Sequence, residues 1–459
     1  MDRRSTSIVA PNSADLSSPP SKDSGRKDLE AHDVQKETAY EIGSGRIPDS
    51  WLQVAFILVT SLNSAYILGY SKLIMSFLGW GAGVILVFIG GILSLHNNAL
   101  IANLHEVGGK RHIRYRDLAG HIYGRNMYWA TWILQYANLF TINAGYTILA
   151  GQALKSIYVS LSTSTDMKLP YWIVITGIVC FAFAFFIPQL SALRVWLGVS
   201  ATLTAIYIVI VLFLSMRDGY NRTTTKDYTI HGTKTEKLFN VISAIANISF
   251  IYNTGMLPEL QATLREPAIR NMHKALYMQF TAGNCFLYLV MFIGYWAYGE
   301  GVSAYLLNDA SGSKIVMTIA NIAVFLQTII SLHVFASPMY EFWDTKFARK
   351  GEGAWSLYNM LVRVFARGGY LGLNTLVAAL LPFLGDFTNL TGALSVFPLS
   401  FVLCNHMYLK VKGDKMSAKQ RWWHWFNVTF FSAMAVAATV AAIRLIVVDS
   451  KAYSVFANI

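Results

Sequence analysis

The sequence has 459 residues, of which 54% are hydrophobic and only 14% are charged, and its formal net charge is +12. Soluble globular domains carry nearer 25% charged residues, so this composition excludes an ordinary soluble domain. The apolar residues fall in repeated long runs, which favours a bundle of membrane helices over a β-barrel, and the positive charge is then a matter of membrane topology rather than a sign of nucleic-acid binding.

The first 48 residues are polar and rich in Ser, Asp, Lys and Glu. A segment with so few large apolar side chains cannot bury enough surface to fold, so we predict a disordered cytosolic tail. It lacks the apolar core of a cleavable signal peptide, and the first span is therefore expected to act as the insertion signal.

Residues 49–459 are predicted to form one membrane domain with about eleven apolar runs, most of them near or above the roughly 20 residues that cross a bilayer as a helix. The predicted spans, numbered 1 to 11, are 51–77, 80–103, 127–159, 171–188, 190–215, 238–264, 273–298, 314–345, 370–385, 388–411 and 422–447. Spans 3 and 8 exceed the required length and should tilt or project.

Lysine and arginine are concentrated in alternate loops, after spans 2, 6, 8 and 10. Positively charged loops stay in the cytosol, so an odd number of spans puts the amino terminus inside and the carboxyl end outside. The outer loop 216–237 mixes both charges and supports this topology least. It contains the glycosylation pattern Asn221-Arg222-Thr223, which makes Asn221 a candidate acceptor, although such tripeptides are common by chance.

Span 1 is interrupted at its centre by the stretch NSAYILGYS, Asn63 to Ser71, where Gly69 lowers the cost of leaving helical geometry. Span 6 carries a matching interruption, FIYNTGMLPEL, in which Pro258 removes a helix hydrogen bond and Gly255 tolerates unwinding. Two broken spans at corresponding places in two halves of a chain point to a transporter binding site. The alternative is a pair of kinked but continuous helices packed by small residues.

Spans 1–5 and 6–10 each begin with a broken helix, which predicts two five-helix repeats, about 51–215 and 238–411. Span 11, about 422–447, is then an addition outside the repeat. If the repeats are inverted, the two breaks lie side by side at mid-membrane.

A broken helix exposes backbone amides at the start of its second half, where the positive helix end favours an anion. The amides between Ser64 and Tyr70 are therefore the expected site of a substrate carboxylate, and freed carbonyls suit a cation, so the breaks suit a zwitterion. Aromatic ring faces attract ammonium groups by roughly 0.5–2 kcal/mol each. Rings predicted near this depth, for any one of which core packing is the simpler role, are Tyr66, Tyr70, Tyr136, Phe140, Phe250 and Tyr252.

Two titratable residues inside the predicted spans are candidates for proton coupling. A carboxylate within a span is costly and by default functional, which singles out Glu259, although it can also act as the cap of the helix after the break. His333 in span 8 has a side chain that titrates near neutral pH, but a hydrogen-bonded packing role is simpler. Asp386 is expected at the membrane interface, near the start of span 10.

No catalytic grouping of nucleophile, base and carboxylate is evident, so an enzyme is not expected. The three cysteines, Cys180, Cys285 and Cys404, lie within apolar runs at spacings unsuited to metal ligation. We predict no disulfide framework, no metal site and no cofactor.

Long strings of residues resemble the amino acid/auxin permease family and, within it, the plant proline transporters. The resemblance covers residues 50–459. The strings are NSAYILGYS (63–71), HEVGGKRHIRYRDLAGHIYGR (105–125), LSALRVWLG (190–198), YNTGMLPELQATLREP (252–267), GYWAYG (294–299), LHVFASPMYEFWDTK (332–346), RGGYLGLNTLVAALLPFLGDF (367–387) and LTGALSVFPLSFVLCNHMYL (390–409).

The resemblance implies proton-coupled uptake of L-proline, glycine betaine and γ-aminobutyrate (GABA) at the plasma membrane. It also implies an all-α polytopic fold, the amino acid–polyamine–cation (leucine-transporter-like) 5+5 inverted repeat with an eleventh helix. In that fold the two breaks hold the substrate and spans 3 and 8 close the pocket. The corresponding residues here are Ser64, Ala65, Tyr66, Leu68, Gly69, Phe250, Tyr252, Asn253 and Thr254 at the breaks, with Tyr136, Phe140, Asn143 and Gln327 as pocket candidates.

Alternative functions stay open from the sequence. A sodium-coupled or facilitative carrier would share this architecture, and so would a membrane sensor that binds the solute and signals through residues 1–48. The expected partners are small zwitterionic solutes, protons and the lipid bilayer, with no nucleic acid; the sequence leaves the oligomeric state open.

Overall fold

The computed structural model describes residues 48–162, 167–186, 193–221, 226–253, 255–349, 352–353 and 355–452. Residues 1–47, which hold nearly all of the predicted tail, and Thr254 of the second break lie outside the described residues. The described chain is almost entirely helical. Its two short strands, β1 (Glu106–Val107) and β2 (Lys110–Arg111), form an antiparallel hairpin.

The first half of the membrane domain contains spans 1 to 5. Span 1 consists of α1 (Trp51–Leu62), a 3₁₀ segment (Ala65–Leu68) and a π-helical segment (Ser71–Met75). Gly79, with φ +69°, bends the chain between spans 1 and 2. The remaining helices are α2 (Ser76–Asn103) in span 2, the short α3 (Tyr115–Tyr123) after the hairpin, α4 (Arg125–Leu161) in span 3, α5 (Leu169–Phe186) in span 4 and α6 (Leu193–Asn221) in span 5.

The second half contains spans 6 to 11, and three of its spans change helix type or break along their length. Its α-helices are α7 (Lys234–Ile251) and α8 (Leu257–Ala262) in span 6, α9 (Ala268–Met278) and α10 (Asn284–Tyr298) in span 7, α11 (Lys314–Phe347) in span 8, α12 (Leu357–Leu380) in span 9, α13 (Leu384–Thr391) and α14 (Cys404–Lys412) in span 10, and α15 (Ala418–Ala452) in span 11. π-Helical segments join the two helices of span 7 (Gln279–Gly283) and of span 10 (Gly392–Leu403). Single 3₁₀ turns lie at Gly299–Gly301, Leu306–Asn308 and Gly413–Lys415.

The first helices of the two broken spans begin in the same way. Ser50 before α1 exchanges hydrogen bonds with Gln53, and Thr233 before α7 exchanges them with Glu236. Each pair is a capping box, which satisfies two backbone amides that the first turn of a helix leaves without partners. Both broken spans therefore begin with the same helix-capping motif.

Within the described residues, eight helical stretches are long and apolar enough to cross a membrane. Predicted spans 3, 6 and 9 are not among them. The helix of span 3 carries the buried amides Gln135, Asn138 and Asn143, span 6 is divided by its break, and span 9 carries the buried Arg363 and Arg367. These three spans pack against other helices, so the polar side chains that lower their hydropathy lie at protein contacts.

Helix packing repeats between the two halves. The first helix of span 1 packs against the start of span 7, and the first helix of span 6 packs against span 2. Span 3 packs on span 10 just as span 8 packs on span 5, while spans 3 and 8 and spans 4 and 9 pack on each other. Exchanging spans 1–5 with spans 6–10 maps the first four contacts onto one another in pairs and the last two onto themselves, which is the packing expected of a five-plus-five repeat.

Candidate functional site

The break in span 1 is held open by side chains from other spans. Helix α1 ends at Leu62, and the Asn63 side-chain amide donates to the carbonyls of Val59 (2.9 Å) and Gly283 (3.0 Å). The Tyr207 hydroxyl of span 5 donates to the Asn63 carbonyl at 2.7 Å. Span 5 thereby satisfies a carbonyl that the unwound backbone would otherwise leave bare inside the membrane, and span 7 accepts from the Asn63 side chain.

The amide end of this break is occupied by a side chain of span 8. The backbone N–H of Ala65 donates to Oε1 of Gln327 at 3.3 Å, and Gln327 Nε2 donates to Ser331 Oγ at 2.7 Å. The Tyr146 hydroxyl donates to Ser64 Oγ at 3.0 Å. Gln327 is fully buried, so its amide oxygen occupies the position at which a substrate carboxylate was predicted.

Tyr66 joins the two breaks. Its hydroxyl donates to the Ile142 carbonyl of span 3 at 2.6 Å, and its ring lies 5.1 Å from the ring of Phe250, just before the second break, and 4.8 Å from that of Tyr146. A Cβ at Gly145 would lie 2.0 Å from the Tyr66 hydroxyl. Tyr66 can therefore reach span 3 only because position 145 is glycine.

The break in span 6 is held by span 2. Helix α7 ends at Ile251, Gly255 adopts φ +69°, and α8 begins at Leu257. The Asn98 side chain donates to the Tyr252 carbonyl at 3.2 Å, and the Tyr252 hydroxyl donates to the Val87 carbonyl at 3.2 Å. Both spans are thus interrupted at the predicted stretches, and the reading of them as continuous kinked helices is wrong.

A small cavity of about 20 Å³ borders the second break, which is space for about one water molecule. Among the described residues, two buried amide oxygens of its lining, Asn253 Oδ1 and Gln279 Oε1, have no hydrogen-bond partner. The lining residues are Leu58, Asn98, Ile101, Tyr115, Tyr252, Asn253, Gly255, Leu257, Pro258, Gln279, Leu399 and Ser400. Span 6 therefore carries a hollow with unsatisfied polar groups at its break.

The predicted substrate residues fall into three places. The first break brings together Ser64, Ala65, Tyr66, Phe250 and Gln327, and the cavity brings together Tyr252 and Asn253. Leu68 and Gly69 are buried at the far end of the first break, where a Cβ at Gly69 would lie 3.1 Å from the Ala304 carbonyl.

Three residues of span 3 face away from the breaks. The Tyr136 hydroxyl donates to the Pro338 carbonyl at 3.2 Å. The Asn143 side chain donates to the Tyr370 hydroxyl of span 9 at 2.8 Å, and Phe140 packs on the same tyrosine with the ring centres 5.9 Å apart.

Four residues that close the first break were not predicted: Gly145, Tyr146, Tyr207 and Ser331. Tyr207 is the single tyrosine of the apolar run 196–215, and Gly145-Tyr146 lies at the centre of span 3. A tyrosine at mid-span is the signal that could have found Tyr146 and Tyr207, since its hydroxyl needs a partner when buried. Gly145 and Ser331 carry no such signal.

The two proton-coupling candidates both have hydrogen-bond partners. Oε1 of Glu259 accepts from Gln135 Nε2 at 2.6 Å, and the same Gln135 nitrogen donates to the Gly255 carbonyl at 3.1 Å. The ring nitrogens of His333 lie 2.7 Å from the Ile329 carbonyl and 3.0 Å from the Cys180 carbonyl. A neutral imidazole can donate to only one of these, so protonation would satisfy both.

A polar cluster joins the end of span 6 to the hairpin on the predicted cytosolic side. The Arg111 guanidinium donates to Glu266 Oε1 (2.8 Å), to His105 Nε2 (2.8 Å) and to the carbonyls of Ala262 and Leu264. Burial and the Arg111 charge lower the pKa of His105 to about 4, so the ring is neutral near pH 7 and its Nε2 can accept. The cluster therefore connects the end of α8, the part of span 6 that follows the break, to the loop after span 2.

Two residues of the outer side complete the predicted set. Asn221 is exposed at the end of α6, while Arg222 and Thr223 of its tripeptide lie outside the described residues. Asp386 is only 2% exposed, because α13 begins at Leu384, four residues before the predicted start of span 10; its place at the membrane interface stays a prediction.

Comparison with known proteins gives a consistent result. The family described as "Transmembrane amino acid transporter protein" matches residues 48–446. The chain is 28% identical to GABA transporter 1 of Arabidopsis thaliana, over 89% of this chain and 93% of the relative. It is 28% identical to lysine histidine transporter-like 6 (95% and 98%) and 25% identical to amino acid permease 2 (94% and 95%) of the same plant.

Among solved structures, the chain is similar to the Eremococcus coleocola manganese transporter in complex with an aromatic bis-isothiourea substituted compound. The TM-score is 0.50 at 12% identity, over 87% of this chain and 89% of that chain. This likeness concerns the fold alone, and it confirms the expected all-α polytopic, leucine-transporter-like class.

Proposed function

Because the chain belongs to the transmembrane amino acid transporter protein family, we propose that this amino acid transporter imports L-proline, glycine betaine and GABA by proton-coupled symport. The observation that carries the proposal is the pair of breaks that meet at Tyr66 and Phe250, with the Ala65 amide bound to an amide oxygen of Gln327. A relative named as a GABA transporter supports GABA as one of the solutes.

The carboxylate is proposed to bind at the Ala65 amide. A carboxylate oxygen accepts a stronger hydrogen bond than the neutral Gln327 amide, so it can displace that side chain. Ser64, beside this amide, offers a hydroxyl that already accepts from Tyr146. Leu68 and Gly69 would shape the far end of the pocket, where close backbone contact limits substrate size.

The cationic end is proposed to lie against the faces of Tyr66 and Phe250. Their rings lie 5.1 Å apart, and the Tyr146 ring lies 4.8 Å from that of Tyr66, so a cation reaches these ring faces only when the rings separate from the packing seen here. Ring faces attract secondary and quaternary ammonium groups alike because they do not require N–H donors. Tyr252 and Asn253 would take the remaining polar groups, and Thr254, outside the described residues, stays a candidate from the sequence. Tyr136, Phe140 and Asn143 of span 3 would lie outside the substrate contact.

We propose that the transport cycle moves repeat 1 (about 51–215) against repeat 2 (about 238–411), with residues 1–48 as a cytosolic tail. The family resemblance implies a plasma-membrane protein, and the charge pattern of the loops favours an amino terminus inside and a carboxyl end outside. Asn221, at the exposed end of span 5, would then face the side on which glycans are added. Glu259 and His333 remain the sequence-based candidates for the coupling proton.

The experiment is uptake of labelled proline, betaine and GABA into proteoliposomes. An inside-alkaline pH gradient should drive accumulation above equilibrium, a protonophore should abolish it, and a sodium gradient alone should have no effect. Excess unlabelled lysine or histidine should compete weakly. Accumulation that follows sodium alone, or equilibration without accumulation, would contradict proton coupling, and solute binding without uptake would favour a sensor.

A further inference from the structure

Asp386 is a buried carboxylate without an observed partner. It lies in the first turn of α13 and is 2% exposed. Among the residues that the structure describes, neither of its carboxylate oxygens has a hydrogen-bond partner. An ionised carboxylate in such a place is strongly unfavourable, whereas the protonated acid is tolerated.

The elements packed against α13 carry cations, Lys155 on span 3 and Lys234 and Lys237 on span 6, but none of them hydrogen-bonds Asp386 in the described chain. Span 3 and span 6 contribute hydroxyl groups, Thr141 bonded to Thr391 and Ser243 bonded to Asn389. Span 11 brings a second carboxylate, Asp449, near Asp386. Arg444, on the same helix, is directed instead over the Phe239 ring at 4.7 Å.

Residues beside Asp386 contact the first break directly. A Cβ at Gly69 would lie 3.3 Å from the Leu384 side chain, and a Cβ at Gly385 would lie 2.8 Å from the Leu73 side chain. The turn that carries Asp386 is therefore packed against the second half of span 1. A movement of this turn would therefore shift residues of the first break, where the substrate carboxylate is proposed to bind.

We propose that Asp386 binds the coupling proton, and that its protonation lets span 10 close against the first break. The proton comes from the outer solution and forms an O–H bond on the carboxylate when the turn is exposed. Loss of the same proton after the site has opened to the cytosol restores the carboxylate, which then favours the arrangement in which the turn is hydrated.

Comparison with the two sequence-based candidates favours Asp386. Oε1 of Glu259 accepts from Gln135 while its Oε2 has no partner in the described chain, and both ring nitrogens of His333 lie within hydrogen-bond distance of a carbonyl, so each group is at least partly satisfied in the state seen here. Asp386 has none in the described chain, so its neutral form is the one that the packing requires. The inference rests on the proposed proton-coupled transport.

The test compares wild type with Asp386→Asn, which resembles the protonated acid, in proteoliposomes. We expect substrate exchange between equal pools to stay within about twofold of wild type, because binding and closure survive. Gradient-driven accumulation should fall at least tenfold, and the KM for substrate should lose its dependence on outside pH. Asp227→Asn, on an exposed outer loop, is the control and should behave as wild type.

Failure of the Asp386 assignment can be distinguished from failure of the proposed proton-coupled transport. If wild type itself is not driven by a proton gradient, the proposed function fails. If wild type is driven and Asp386→Asn accumulates substrate with the same pH dependence, Asp386 is not the site. The inference is equally overturned if Glu259→Gln or His333→Asn reproduces the exchange-only behaviour and Asp386→Asn does not.

A second measurement uses wild type alone, in case Asp386→Asn does not fold. A hydrophobic carbodiimide adds to a protonated buried carboxyl, and mass spectrometry locates the adduct. We expect modification of Asp386 that is faster at low pH and slowed by substrate. Absence of the adduct at Asp386 under conditions that modify Glu259 would contradict the proposal.

Discussion

The two breaks differ in the space beside them. At the first break, side chains of spans 3, 5 and 8 bond the Ser64 hydroxyl, the Asn63 carbonyl and the Ala65 amide, and the Asn63 side chain donates to a backbone carbonyl of span 7. One asparagine side-chain oxygen at each break, Asn63 Oδ1 and Asn253 Oδ1, has no partner in the described chain, but a cavity lies only beside the second in the part that the structure describes. The first break is thus packed by the protein itself, and the second retains free space.

This difference assigns different tasks to the two breaks. Unpaired polar groups are costly at membrane depth, so a substrate-free transporter must satisfy its binding amides internally or leave room for water. Gln327 does the former at Ala65, and the cavity beside Asn253 allows the latter. Substrate binding should therefore exchange one internal hydrogen bond at the first break and displace water at the second.

The largest expected effect comes from closing the space that Tyr66 occupies. In Gly145→Ala the new methyl carbon would lie 2.0 Å from the Tyr66 hydroxyl, so the ring must leave both span 3 and Phe250. We expect uptake to fall at least tenfold at an unchanged membrane level. Uptake kinetics and surface biotinylation, measured together, separate loss of function from loss of protein.

The matched control for that substitution is Gly372→Ala, since a Cβ at Gly372 meets nothing within 4 Å. We expect Gly372→Ala to transport as wild type, because the new methyl group meets no neighbouring atom and alanine has a higher helix propensity than glycine. Normal uptake by Gly145→Ala would mean that the contact between Tyr66 and span 3 is not needed for transport.

A smaller effect is expected at Gln327. In Gln327→Ala the Ala65 amide loses its internal acceptor, and the substrate no longer has to displace one. One hydrogen bond contributes about 1 kcal/mol net, which corresponds to about a fivefold lower KM. The measurement is the concentration dependence of proline uptake; a KM that rises severalfold would show that Gln327 contacts the substrate instead of competing with it.

The sequence predicted the positions of both breaks because Gly69, Gly255 and Pro258 stand at the centres of apolar runs, where they have a strong local effect on the helix. It also placed the two breaks side by side from the order of the spans. These features depend on neighbouring residues along the chain and on the order of the spans, both of which a single sequence contains.

The face that span 3 presents to the breaks could not be predicted in this way. Tyr136, Phe140 and Asn143 follow one helical face, and that face is directed to spans 8 and 9. The face with Ile142 and Tyr146 meets the first break instead. Rotation of a 37-residue helix about its axis depends on all of its neighbours, and a difference of one residue changes the direction by about 100°.

The burial of Asp386 was not predicted, for a different reason. A charged residue shortly after a proline is typical of a loop in a hydropathy pattern. The sequence analysis therefore placed the start of span 10 after Asp386. The structure instead buries this turn against the first break, which a hydropathy pattern does not register for an acid that can be neutral.

The most direct test of a shared site at the two breaks uses single cysteines in a chain without Cys180, Cys285 and Cys404. Ser64→Cys reports on the first break, Asn253→Cys on the second, and Asp414→Cys on an exposed turn outside both. In variants that retain uptake, proline should protect the first two from a small membrane-permeant thiol reagent, each half-maximally near the KM for transport, and leave the third unchanged. Protection of only one break, or of neither, would contradict the account that both breaks form one substrate site.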